Sequence, residues 1–88
     1  SRSQNVYIDF VLQTHDGDKV NLEEFTQLLN EASLKYRIKR VTEVGDQTEI
    51  TIQLSGLDLT VYENVKKELL HRYQSIEISI IDNARVIT

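Results

Sequence analysis

The feature that most narrows what this chain can fold into is the strict alternation at residues 49–56, E-I-T-I-Q-L-S-G. Ile50, Ile52 and Leu54 alternate with Thr51, Gln53 and Ser55. A period of two gives a strand one buried face and one polar face. The sequence therefore predicts a central strand here, leading through Ser55 and Gly56 directly into a helix, so that the register of the strand sets where that helix lies on the sheet.

The same reading organises the rest of the chain. Val6, Ile8, Phe10 and Leu12 alternate with Tyr7, Asp9 and Val11, which predicts a first strand. A turn-rich loop follows at residues 14–19, and then Asn21 precedes Glu24 at the spacing of a capping box, with Asn in place of Ser or Thr. Leu22, Phe25, Leu28, Leu29 and Ala32 recur at helical spacing, the stripe a first helix would lay on a sheet. Residues 36–44 carry Arg37, Lys39 and Arg40 between the apolar Ile38, Val41 and Val44, a pattern that suits an edge strand guarded by charge. Gly45, Asp46 and Gln47 close a hairpin onto the central strand. Asp58 or Thr60 caps a second helix whose stripe is Tyr62, Val65, Leu69 and Tyr73, with Leu57 and Tyr62 at staple positions. Ile76, Ile78 and Ile80 alternate with Glu77, Ser79 and Ile81 in a last strand, and residues 85–88 are expected to form a short extra strand or a tail. Residues 1–4 read as a tag remnant or linker, which leaves residues 5–82 as the domain.

The order β-α-β-β-α-β makes this an α+β chain of the ferredoxin-like class, with a four-stranded antiparallel sheet and two helices on one face. At 88 residues, with 40% hydrophobic and 27% charged, it has the size and apolar content of one domain that needs no metal or disulfide support. Cysteine is absent, which removes disulfides, thiolate zinc sites and thiol nucleophiles. No run reaches the roughly 18 apolar residues that would span a bilayer. The formal net charge of −4 argues against nucleic acid as the main partner, since phosphate neutralisation needs a basic surface.

Each chemistry this plan supports requires its own residues. An RNA reader needs aromatic side chains on the open face of the central strands, and only Tyr7 is placed to serve. His15, Asp16, Gly17 and Asp18 stand together in the first loop but match neither zinc nor calcium spacing, because the twelfth position counted from Asp16 falls on Gln27. A solvated turn explains them as well. His71 reads as a surface or boundary histidine of the second helix. No nucleophile motif or phosphate-cradling glycine loop is present, and no cofactor is called for. Asp9 becomes chemically interesting only if Gln53 and Glu77 pack beside it on the open face. The basic run Lys35, Arg37, Lys39 and Arg40 suits either a protected edge or an anionic partner. Tyr7, Val11, Val41 and Ile81 are all expected to face outward on the uncovered side of the sheet, an apolar group that favours dimerisation or contact with a parent protein.

From Val6 to Asp82 the chain resembles an ACT-like domain, through its element order, its glycine-bearing first loop and its isoleucine-rich last strand. Residues 28–52, a helix end followed by R-I-K-R-V and a short polar turn into E-I-T-I, are similar to the soluble C-terminal domain of MgtC/SapB-type membrane proteins. The resemblance implies a regulatory domain that pairs through sheet edges or faces, and amino-acid binding at the first loop. The loop departs from the D-x-P-G pattern of ACT domains, having His15, Asp16, Gly17 and Asp18 and no proline. The sequence thus predicts a non-catalytic regulatory or assembly domain, located in the cytoplasm and joined to a membrane only through a parent protein. The alternative is a sensor of an amino acid or anion held by Asp16, Gly17, Asp18 and Asn21 at the first helix N-terminus.

Overall fold

Alternating side chains build the sheet and two amphipathic stripes close it. The computed structural model describes residues 5–82, so the expectations for residues 1–4 and 83–88 lie outside the described residues. The elements are β1 (Val6–Gln13), α1 (Leu22–Glu31), β2 (Arg37–Val44), β3 (Gln47–Leu54), α2 (Leu59–Arg72) and β4 (Ser75–Asp82). All neighbouring strands are antiparallel and their order across the sheet is β2-β3-β1-β4, the ferredoxin-like α+β fold. β1 and β3 hold the centre as their alternation predicts, with Ile8 opposite Ile52 and Phe10 opposite Ile50. These side chains are buried with Phe25 and Leu29 of α1 and Val65 and Leu69 of α2, so both helices cover the same face. Phe10 and Phe25 meet edge to face, with ring centroids 5.4 Å apart at 74°, the arrangement that aromatic quadrupoles prefer.

The helix ends follow local chemistry. Asn21 Oδ1 accepts from the Glu24 backbone N–H at 3.1 Å. Asp58 Oδ1 accepts from Thr60 N at 2.9 Å and Val61 N at 3.2 Å, which makes Asp58 the cap of α2. At the other end of α1, Leu34 N donates to Leu29 O and Ser33 N to Asn30 O, the paired bonds of a Schellman turn. That turn places Ser33 at a φ of 64°, a left-handed conformation more usual for glycine. In the β2–β3 hairpin, Gly45 has a φ of 61° while Asp46 keeps an ordinary negative value, as in a two-residue type II′ turn. No helix among the described residues is long and apolar enough to cross a membrane.

Two expectations are corrected. β3 starts at Gln47 and ends at Leu54, with Ser55 and Gly56 in a bend before the cap of α2. Val41 does not share the open face with Tyr7, Val11 and Ile81. Its partner is Ile50, whose side chain is fully buried, and antiparallel partners point to the same side. The cause is a register shift between Ile38 and Arg40, where Lys39 is an extra residue against β3. One inserted residue reverses the alternation beyond it, so Ile38 and Val41 lie on the helix side while Arg37 and Arg40 lie on the open side.

Candidate functional site

The open face of the sheet gathers its polar side chains at the centre. Across it run the rows Arg37, Gln53, Tyr7 and Ile81, then Arg40, Thr51, Asp9 and Ser79, then Thr42, Glu49, Val11 and Glu77. Thr51 Oγ1 donates to Asp9 Oδ1 at 2.6 Å. Glu49 stands one row away from Asp9 on the adjacent strand and faces Arg40 at 3.7 Å. The Asp9 carboxyl, by hydrogen bonding and then by like charge, pushes the Glu49 carboxyl above its ordinary range, with a little desolvation adding to this and Arg40 opposing it. Gln53 and Glu77 also stand one row from Asp9 on the open face, as the sequence suggested, and the carboxyl that Asp9 perturbs is Glu49, which the sequence reading did not single out. The missing information was register: Asp9 opposite Thr51 brings Glu49 onto its diagonal. Tyr7 and Val11 are half-buried between these polar neighbours, and Ile81 is exposed.

The first loop is pinned at both ends. Thr14 Oγ1 donates to Asp18 O at 2.6 Å, and the Asp18 backbone N–H donates to Asp16 Oδ1 at 3.2 Å. That backbone bond, followed by the Thr14 hydroxyl, holds the Asp16 carboxyl below its ordinary range. His15 Nδ1 lies 2.9 Å from Gln74 Oε1. Asp16, Asp18 and Asn21 line a solvent-open cleft of about 470 Å³ together with Arg72 and Tyr73. Gly17 lies in a separate recess facing the β2–β3 turn. The Asn21 side chain already serves α1 as its cap, and Glu24 is joined to Arg72 of α2 by an ion pair. Arg72 is thereby drawn to the other helix instead of to Glu68 one turn back. The cleft thus mixes the acidic Asp16, Asp18 and Glu24 with His15, Lys19 and Arg72, and Arg72 is already engaged by Glu24. Among the described residues no group of three or more His, Cys, Asp or Glu side chains is arranged to hold a metal ion.

The sheet margins are the other distinctive surface. Ile38 and Val41 on β2 are each 38% exposed, and Ile80 and Ile81 on β4 are 43% and 54% exposed. Ile38, Val41 and Ile80 are opposite fully or nearly fully buried residues of the neighbouring strand, so they extend the core layer past the cover of the helices. The sequence signal for the β2 half was available: the odd spacing of Ile38 and Val41 cannot keep both on one face of a regular strand, and a bulge resolves it.

No family model matches this sequence, and no curated protein matches it. Among solved structures it is similar to a de novo designed protein, Foldit4, with a TM-score of 0.51 and 11% identity, over 91% of this chain and 97% of that one. It is also similar to the structure of DUF77, a domain of unknown function from Bacillus cereus, with a TM-score of 0.46 and 16% identity, over 91% of this chain and 75% of that one. At these identities the likeness concerns the fold alone.

Proposed function

We propose that this domain is a non-catalytic regulatory and assembly module that works by self-association or by contact with its parent protein. The observation that carries this reading is the extension of the core layer to the sheet margins, where Ile38, Val41 and Ile80 stand outside helical cover, with Ile81 exposed on the open face of β4. Apolar side chains grouped at a margin cost free energy in water and gain it on being covered. The resemblance to ACT-like domains agrees with this reading, because it implies regulation by pairing. The part of the parent protein to which the module answers, including a membrane-embedded segment of the MgtC/SapB type, belongs to this proposal as well.

The test is sedimentation equilibrium of the domain over a wide concentration range, together with a binding assay against the remainder of the parent chain. Concentration-dependent mass, or affinity for the parent, is the expected result. A strict monomer at millimolar concentration with no affinity for the parent overturns the reading.

A further inference from the structure

The two edges of the sheet are built in opposite ways. β2 carries the devices that stop a strand from pairing with a foreign strand: Arg37, Lys39 and Arg40 in succession, and a register shift at Lys39 that interrupts the ladder. β4 has neither the basic residues nor the register shift, and its charges are Glu77 and Asp82. Its eight residues, S-I-E-I-S-I-I-D, pair with β1 from Ser75 to Asp82 without a register shift, and they contain no lysine, arginine or proline. Among the described residues β1 is its only strand partner. A long, regular, isoleucine-rich edge of this kind is a template for another strand.

We propose that β4 pairs antiparallel with β4 of a second copy of this chain, about a two-fold axis at Ile78, joining two four-stranded sheets into one of eight strands. This rests on the assembly reading above and names its partner. The register follows from side-chain chemistry. Centred on Ile78, the pairing sets Ile78 against its own copy and Ile76 against Ile80, so that on the helix side only isoleucines meet. On the open side Glu77 then faces Ser79, and Ser75 faces Ile81. Centred on Ser79, the same strand would set Ile76 against Asp82 and Glu77 against Ile81, leaving carboxylates against apolar side chains. An offset of odd parity would turn inward residues against outward ones. A β2 edge laid on β4 would match basic to acidic residues, but the shift at Lys39 breaks its ladder, and a head-to-tail contact of that kind leaves an edge open at each end without closing. Pairing β4 with itself closes at two and leaves only guarded edges outside. The surface buried by one strand pair is at the low end of specific interfaces, under about 1,200 Å², so dissociation in the micromolar range is expected.

Three measurements on the whole chain test the pairing. Sedimentation of the wild type should reach twice the 10.2 kDa monomer mass and no more. Ile80→Lys, which places a charge in the apolar row of the edge, should lower the association constant at least tenfold while circular dichroism shows the fold retained. Ile78→Cys, in a chain with no other cysteine, should form an intermolecular disulfide under mild oxidation, since directly opposed residues have Cα atoms about 4.5–5.5 Å apart, within disulfide reach. A dimer that survives Ile80→Lys and gives no cross-link through residue 78 overturns β4 pairing while leaving the assembly reading intact. Masses growing beyond the dimer overturn it in favour of head-to-tail contact. A wild-type monomer at all concentrations overturns it too. Should Ile80→Lys fail to fold, Ser79→Pro takes its place on the same edge, with the same outcomes.

Discussion

At the scale of single residues, Asp9 and Glu49 show how a quiet surface acquires a titration. Both carboxyls lie on the open face, and proximity to Asp9 raises Glu49 in the folded state. A carboxyl raised on folding binds its proton more tightly in the native state than in the unfolded one. The stability it contributes is full below the ordinary glutamate range and is lost as pH rises through the elevated value. Glu49→Gln removes that loss at the expense of an exposed ion pair with Arg40, which is worth little. Thermal melts should therefore show the variant at least as stable as wild type at neutral pH, with the difference closing in acid. A clear loss of stability at neutral pH would show that the Arg40 contact outweighs the repulsion. The pair was not legible in the sequence because Asp9 and Glu49 are 40 positions apart, and only the register of β1 on β3 makes them neighbours.

At the scale of elements, caps and periodicity carried most of the fold. Asn21 and Asp58 stand where a side-chain acceptor followed by an amphipathic stripe requires a helix to begin. The five alternating residues 50–54 and their counterparts in β1 fix the centre of the sheet because burial on one side leaves no other register. β2 was legible as an edge but not in its facing. Its consecutive basic residues conceal the inserted position, and the identity of the bulge depends on hydrogen bonds to β3 that alternation does not encode. The end of α1 was likewise silent, since serine gives no warning of a left-handed turn. That conformation costs a non-glycine residue roughly 1–2 kcal/mol, and glycine returns part of the gain through its freer unfolded chain, about 0.4–1 kcal/mol. Ser33→Gly should thus stabilise the domain by about 0.5–1 kcal/mol, read as a rise of roughly 2–8 °C in Tm. An unchanged or lower Tm would mean that the serine hydroxyl compensates for its backbone.

At the scale of the whole molecule, the core is small and carried by few side chains. Phe10, Phe25, Leu29, Ile50, Ile52 and Leu69 are fully buried, and they join both helices to the two central strands. Truncating a buried phenylalanine typically costs about 3–5 kcal/mol, against a total stability of about 5–15 kcal/mol for natural domains. Phe25→Ala should lower the stability by about 3–5 kcal/mol, because it removes both the apolar volume and the edge-to-face contact with Phe10. Circular dichroism and the midpoint of urea unfolding check this. A loss below about 1 kcal/mol would show that α1 can settle onto the sheet without that ring.

β2 sits at the far margin of this architecture. Seven of its eight residues are exposed, the remaining one is half-buried, and none belongs to the buried core. Its hold on the molecule is the ladder to β3, the turn at Gly45, and exposed side-chain contacts: Lys19 with Glu43, Arg40 with Glu49, and Gln13 Nε2 donating to Asp46 Oδ2. Local opening has a free energy set by what is uncovered, so this strand can detach and return while the centre of the sheet stays closed. Backbone amides of β2 are thus the fast clock of the domain and those of β1 and β3 the slow one. Among the described residues, a protease meeting the folded protein is expected to cut first at that hairpin.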